Sequence, residues 1–204
     1  MTAQPAQHWD LAYERGETTR SWFEDEPAQS LRMIGAVGIS PHSVIDIGGG
    51  SSRLVDALIK CGWSDITVLD LSETALQTAQ CRLGKAVDKV TWISHDLLTW
   101  VPERCYRLWH DRAVFHFFTD STQRQQYRRA LTGATMVGSI AVVGCFAPDG
   151  PERCSGLPVA RYSAAGIADE FGHNWLLVGE DQQEHKTPSG GIQPFTWAAL
   201  RRQA

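Results

Sequence analysis

The chain has 204 residues, 43% of them apolar, enough to bury one full core but short for two independent domains. Its 19 basic and 23 acidic side chains leave a formal net charge of −4 and are scattered rather than blocked, which argues against nucleic acid and against an anionic membrane as partners. No apolar run reaches bilayer-spanning length, and residues 1–9 have neither a basic nor a hydrophobic leader segment, so a soluble cytoplasmic protein is expected.

In chain order, residues 1–42 form a part of separate character. Trp9, Tyr13, Trp22 and Phe23 stand among polar residues, and a helical pattern over 30–37 is closed by Gly-Ile-Ser-Pro at 38–41. This part reads as a helical cap on the core. From 43 to 146, strand-length apolar runs alternate with helix-period segments, the pattern of βα units around a parallel sheet. Strands are expected at 43–47, 66–69, 90–94, 107–113 and 136–146. Between them lie a helix over 51–61, a second after Ser72 with Leu76, Ala79 and Leu83 on one face, and a polar third capped by Asp120 or Ser121. The β-rich run 136–146 should lie near the sheet centre. Residues 147–204 depart from this alternation. Ser163 caps a helix to Phe171, and runs at 175–184 and 192–200 flank Pro188, Ser189, Gly190 and Gly191, which predicts an antiparallel hairpin. The expected fold is therefore α/β, a seven-stranded and mostly parallel sheet with helices on both faces. Cys61, Cys81, Cys105, Cys145 and Cys154 are widely spaced, with no C-x-x-C pair, so reduced thiols packed mostly as small hydrophobes are expected, and no metal site.

Chemistry concentrates at the strand ends. Val44-Ile45-Asp46-Ile47-Gly48-Gly49-Gly50-Ser51-Ser52 is a buried strand ending in an acid and three glycines, which let a ligand approach the backbone. An acid ahead of such a bend repels pyrophosphate but pairs with the ammonium of an amino acid or adenosyl-amino acid. If Gly48 and Gly50 begin G-x-G-x-x-G, the third glycine falls on Arg53, which breaks the dinucleotide pattern. Asp70, ending the next strand, stands where a carboxylate accepts both ribose hydroxyls, although it and Ser72 also suit a plain helix start. In His95-Asp96-Leu97-Leu98 an acid is placed to accept an adenine amine while a leucine packs on the ring. Three acids at three successive strand ends converge on one edge of the sheet, where ligands sit in open α/β folds.

With these motifs the chain resembles the class I S-adenosylmethionine-dependent methyltransferases, from about residue 43 to the C-terminus and including the closing hairpin. The resemblance implies a Rossmann-like fold and S-adenosylmethionine as cofactor. It puts Asp46, Gly48 and Gly50 at the methionine part, Asp70 at the ribose with Leu71 beside it, and Asp96 with Leu97 at the adenine. Ser52 stands where many members have a third glycine. After the fourth strand, Trp109-His110-Asp111-Arg112-Ala113-Val114-Phe115-His116-Phe117-Phe118 corresponds to the family's catalytic face. It lacks the Asn/Asp-Pro-Pro-Tyr/Phe and Pro-Cys signatures of base methylation, which again disfavours DNA. This segment, with Ser21-Trp22-Phe23 and the tail His185-Lys186-Thr187-Pro188, Gly190, Gln193 and Phe195, is similar to a small branch related to citrate synthase lysine methyltransferase.

Methyl transfer from a sulfonium is an in-line displacement, so the protein must align the partners, exclude water and leave the acceptor deprotonated. His116 and His185 are candidates to accept a proton or orient the nucleophile, because imidazole titrates near neutrality; a packed or surface histidine is the plainer reading of each. Asp111 and Arg112 are expected at the site wall, as catalytic or cofactor-lining groups or as a structural ion pair. Tyr13 and Trp22 either fold over the cofactor as a lid facing the sulfonium or belong to the core. The expected activity is methyl transfer to a small-molecule or protein lysine nucleophile. Alternatives are an NAD(P)-dependent oxidoreductase, which Asp70 fits and Asp46 and Arg53 do not, and a non-catalytic S-adenosylmethionine-binding subunit, which would gain nothing from the histidines.

Overall fold

A strand that must run parallel to its predecessor needs a crossover, and helices of suitable length follow the first strands of this chain. In the computed structural model, which describes residues 6–14, 16 and 19–204, the parallel strands are β1 (Ser43–Ile47), β2 (Asp65–Asp70), β3 (Val90–Ser94), β4 (Tyr106–Arg112) and β5 (Thr135–Phe146). Helices α3 (Leu54–Lys60), α4 (Glu73–Leu83) and α5 (Ser121–Gly133) lie among them, after α1 (Ala6–Glu14) and α2 (Ala28–Ala36) of the N-terminal part. A small hairpin, β6 (Arg153–Cys154) with β7 (Leu157–Pro158), follows β5. The chain continues through α6 (Ala164–Phe171) into β8 (Trp175–Lys186) and β9 (Ile192–Arg202), which pair antiparallel with each other, β9 also pairing with β5. The resulting seven-stranded sheet has the order β3-β2-β1-β4-β5-β9-β8, with the parallel strands and the closing hairpin that the sequence pattern predicts.

Local chemistry fixes the helix starts. The Ser72 hydroxyl accepts from the Ala75 amide at 3.1 Å, the Asp120 carboxylate from Thr122 at 2.8 Å, and the Ser163 hydroxyl from Gly166 at 3.1 Å. Each such cap contributes about 1 kcal/mol. Of the two candidates before α5, Asp120 is the cap. The glycine stretch takes more chain than expected, so α3 begins at Leu54 rather than at 51.

Alternation along β1 and β4 sorts side chains onto two cores. Val44 and Leu108 join Met33, Leu54, Leu58 and Trp197 on one face; Ile45 and Trp109 join Tyr127, Leu131, Ile167 and Phe171 on the other. The β6–β7 hairpin is not among the expected elements. Its turn holds Ser155 at φ 50° and Gly156 at φ 78°, the doubly left-handed backbone that a tight two-residue turn requires, and the Ser-Gly pair is its one local sign. All five cysteines are free, but only Cys145 and Cys154 are buried; Cys61 follows the end of α3 and Cys81 lies on the outer side of α4, and both are exposed. Among the described residues no helix is long and apolar enough to cross a membrane. Residues 1–5, 15, 17 and 18 of the expected cap lie outside the described residues.

Candidate functional site

Beyond β1 the chain turns through left-handed backbone at Gly48 (φ 61°) and Gly50 (φ 44°), which side-chain-bearing residues rarely adopt. Space is equally restrictive. A Cβ at Gly48 would strike the Val114 side chain, and one at Gly49 would lie 2.6 Å from Asp46 Oδ2 and 2.7 Å from Val68. Arg82 of α4 ties the bend down, donating to the Ser51 and Ser52 carbonyls at 2.8 Å each and to Asp56 at 2.7 Å. Above this bend opens a cavity of about 240 Å³, at the carboxyl ends of the parallel strands. Asp46, Gly48 and Gly49 wall it from β1, Asp70 and Leu71 from β2, and Asp96 and Leu97 from β3. Gly50 sits just behind, where a Cβ would lie 3.0 Å from Asp70 Oδ2 and closer still to the Tyr13 hydroxyl.

The three acids differ in how they are held. Asp46, 2% exposed, meets His110 Nδ1 at 2.7 Å, and His110 Nε2 meets the Ser30 hydroxyl at 3.0 Å. The parallel register sets Asp46 directly opposite His110. Asp70 accepts from the Ser72 amide at 2.8 Å. Burial, aided by the like charge of Asp46, outweighs that bond and those from Gly50 and Leu71, and the Asp70 carboxyl is pushed up to about 7. Asp96 accepts from the Leu98 amide at 2.9 Å, which orients its carboxylate beside buried Leu97.

The N-terminal part closes the cavity from above. Trp9 stands edge-on to Trp22 (6.2 Å between rings) and to Phe117 (5.1 Å), and Tyr13 edge-on to Trp22 (6.2 Å). Arg20 lies 4.4 Å over the Tyr13 ring and donates to the Ser51 hydroxyl at 3.0 Å. Burial, with Asp70 nearby, holds the Tyr13 phenol well above its ordinary range, so it stays a neutral hydroxyl. Residues 20–26 are strapped to the sheet: Arg112 donates to the Trp22 carbonyl at 2.9 Å and pairs with Glu24 at 2.9 Å. Glu24 also accepts from Gln183 at 2.9 Å. His185 Nε2 donates to the Ser21 carbonyl at 2.7 Å while its Nδ1 lies 3.3 Å from Glu24. Burial pushes the Glu24 carboxyl up, but the His185 contact and the Arg112 charge outweigh it and hold the group below its usual range.

Of the groups expected on the catalytic face, Arg112 lines the cavity; Asp111, His116 and His185 do not. Asp111 follows His110 on β4 and so points to the opposite face of the sheet. There it accepts from the Val114 and Phe115 amides (2.9 and 3.1 Å) and from the Tyr127 hydroxyl (2.9 Å), itself a partner of Trp109 Nε1 at 2.9 Å. Burial outweighs these bonds and pushes the Asp111 carboxyl up to about 6. The same alternation rules out the expected Asp111–Arg112 ion pair, because the two side chains leave the strand on opposite sides. His116 is fully buried against the Phe117 and Phe146 rings, and its Nδ1 accepts weakly from the Phe146 amide at 3.4 Å. Burial and the Arg112 charge push its imidazole down to about 3, so the ring is neutral near pH 7. Two imidazoles outside the expected set line the cavity, His95 after β3 and His110 on β4; the strand period and the β1–β4 register point to His110, which Ser30 joins from α2.

Among the described residues no three His, Cys, Asp or Glu side chains are grouped as a metal ion would require. Residues 44–133 match a family model described as a methyltransferase domain. The EEF1A lysine methyltransferase 2 of Homo sapiens is 37% identical over 93 residues, which is 41% of this chain and 38% of that protein. The match thus spans well under half of that relative. The N-methyltransferase NodS from Bradyrhizobium japonicum, solved with S-adenosyl-l-homocysteine, superposes with a TM-score of 0.73 at 17% identity, covering 96% of this chain and 98% of NodS. The Burkholderia thailandensis 1,6-didemethyltoxoflavin-N1-methyltransferase, solved with 1,6-didemethyltoxoflavin and S-adenosylhomocysteine bound, gives a TM-score of 0.74 at 18% identity, covering 100% of this chain and 92% of that one. The chain therefore has the fold of these methyltransferases, and its residues 44–133 carry the match to a methyltransferase domain.

Proposed function

We propose that the chain is an S-adenosylmethionine-dependent methyltransferase acting on a nitrogen, oxygen or sulfur nucleophile of a small molecule or of a protein lysine. The observation that carries this reading is the set of Asp46, Asp70 and Asp96 around one cavity, at the ends of three adjacent parallel strands and over a bend that admits no side chain. The donor set suits the cofactor: Asp46 faces an ammonium, Asp70 a pair of ribose hydroxyls, and Asp96 with Leu97 an adenine. When bound, the cofactor supplies an electrophilic methyl group on a sulfonium. The chain's own residues align the partners and keep water out, and Trp9, Trp22 and Phe117 give the cavity an aromatic lining that suits a cation. Asp111, His116 and His185 serve from behind the wall: Asp111 fixes the backbone at 114 and 115, and His185 fixes the strap over 20–26.

A protein lysine as acceptor is supported by the partial relative named for lysine methylation and by those aromatic walls, which suit an alkyl amine. Incubation with methyl-tritiated S-adenosylmethionine and either a dialysed cell extract or a small-metabolite fraction separates the acceptors. A labelled protein band is the expected result for lysine, label only in the small fraction points to a metabolite, and no transfer in either contradicts the methyltransferase reading.

The raised Asp70 carboxyl gives a pH signature. Ribose hydroxyls bind the ionised form, so S-adenosylhomocysteine affinity should rise by about tenfold between pH 6 and 8 and level off above. Asp70→Asn should flatten that profile. The same shift works on stability with the opposite sense: folded Asp70 holds its proton up to about 7 against 3.8 for the ordinary group, so its contribution is full at low pH and is lost as pH rises through 7. Asp70→Asn should therefore raise the melting temperature of the free protein at pH 8, and an unchanged or lowered value would contradict a destabilising buried charge.

A further inference from the structure

Ser30, Asp46 and His110 come from α2, β1 and β4, and are 1%, 2% and 2% exposed. They form a buried relay. A carboxylate accepts hydrogen bonds, so His110 Nδ1–H donates to Asp46 in the 2.7 Å contact, and Nε2 at the far side of the ring meets the Ser30 hydroxyl at 3.0 Å. The Trp197 ring lies 6.1 Å from the imidazole and backs it on one side. One Asp46 oxygen is thereby turned in toward the strand neighbour, and the other, Oδ2, is presented at the glycine bend, 2.6 Å from where a Cβ of Gly49 would be.

We infer that Ser30 and His110 are positioning residues for the amino-acid end of the cofactor, acting through Asp46 by fixing its rotamer so that Oδ2 meets the ammonium. The inference rests on the cofactor reading above. Strand pairing alone does not require this relay. A valine or leucine at 110 would pair with β1 equally well and leave Asp46 free to rotate or to recruit water. Ser30 holds the far end of the imidazole at Nε2 and so keeps the ring turned with Nδ1 toward Asp46.

Two ligands isolate the effect. S-adenosylhomocysteine carries the ammonium, whereas 5′-methylthioadenosine shares the adenosine and the thioether but lacks the amino acid. Calorimetric titration of both into wild type, His110→Phe and Ser30→Ala at pH 8 reads the ratio of their affinities. His110→Phe should weaken S-adenosylhomocysteine by about tenfold or more, the loss expected for a hydrogen bond to a charged group, and leave 5′-methylthioadenosine within about twofold. Ser30→Ala should weaken S-adenosylhomocysteine by about threefold and again spare the shorter ligand. Equal weakening of both ligands, or none, overturns the positioning role. Should His110→Phe fail to fold, Ser30→Ala decides alone, since it removes one hydroxyl. A wild type that binds the shorter ligand without preferring S-adenosylhomocysteine overturns the inference, while a wild type that binds neither overturns the cofactor reading itself.

Discussion

Asp46→Asn is expected to weaken S-adenosylhomocysteine binding by at least about a hundredfold, the largest single functional loss in the molecule. The substitution keeps volume and removes the charge, so an ammonium brought into this nearly dry corner would lose the carboxylate that faces it at the bend. Breaking a buried pair in this way costs about 3–5 kcal/mol, and each 1.4 kcal/mol is about tenfold in affinity. The amide also places a donor or a weaker acceptor against His110 Nδ1, so the relay behind it loosens. Calorimetry with the folded variant checks the expectation, and affinity within about threefold of wild type would show that no ammonium is held at this bend.

Asp111→Ala should act on stability instead. The carboxylate takes two backbone amides and a tyrosine hydroxyl, all inside the core that α5 and α6 cover. Its loss leaves three buried donors without an acceptor and a void beside Trp109 and Tyr127, which together cost about 3–5 kcal/mol. Denaturant unfolding should show that loss while the folded fraction still takes up S-adenosylhomocysteine. A variant of undiminished stability whose turnover alone collapses would assign Asp111 a chemical task and contradict its structural role.

The sheet and the helix caps were legible because they rest on local periods: two residues for β1 and β4, and Ser72, Asp120 and Ser163 standing before amphipathic runs. The convergence of Asp46, Asp70 and Asp96 on one cavity was legible for the same reason, since a strand end in this fold is a fixed place. What failed to show was whatever depends on which face a strand presents or on contacts between distant segments. His110 and Asp111 are adjacent in sequence and lie on opposite faces, so an imidazole enters the site region and the neighbouring acid leaves it. His116 and His185 read as proton acceptors because imidazole is titratable in water; one is sealed among aromatic rings, and the other is committed to the Ser21 carbonyl. The latch among Glu24, Arg112 and Gln183 joins segments some 70 to 160 residues apart, and no spacing rule reaches that far. The β6–β7 hairpin is too short for a periodic pattern, although its Cys154, Leu157 and Pro158 complete the cavity wall.

The most direct measurement is calorimetric titration of the wild-type protein at pH 8, where Asp70 is ionised, with S-adenosylhomocysteine in one series and NADH in another. The arrangement of Asp46 at the glycine bend predicts saturable one-site binding of the first and no heat from the second. Saturable uptake of NADH with none of S-adenosylhomocysteine would contradict it.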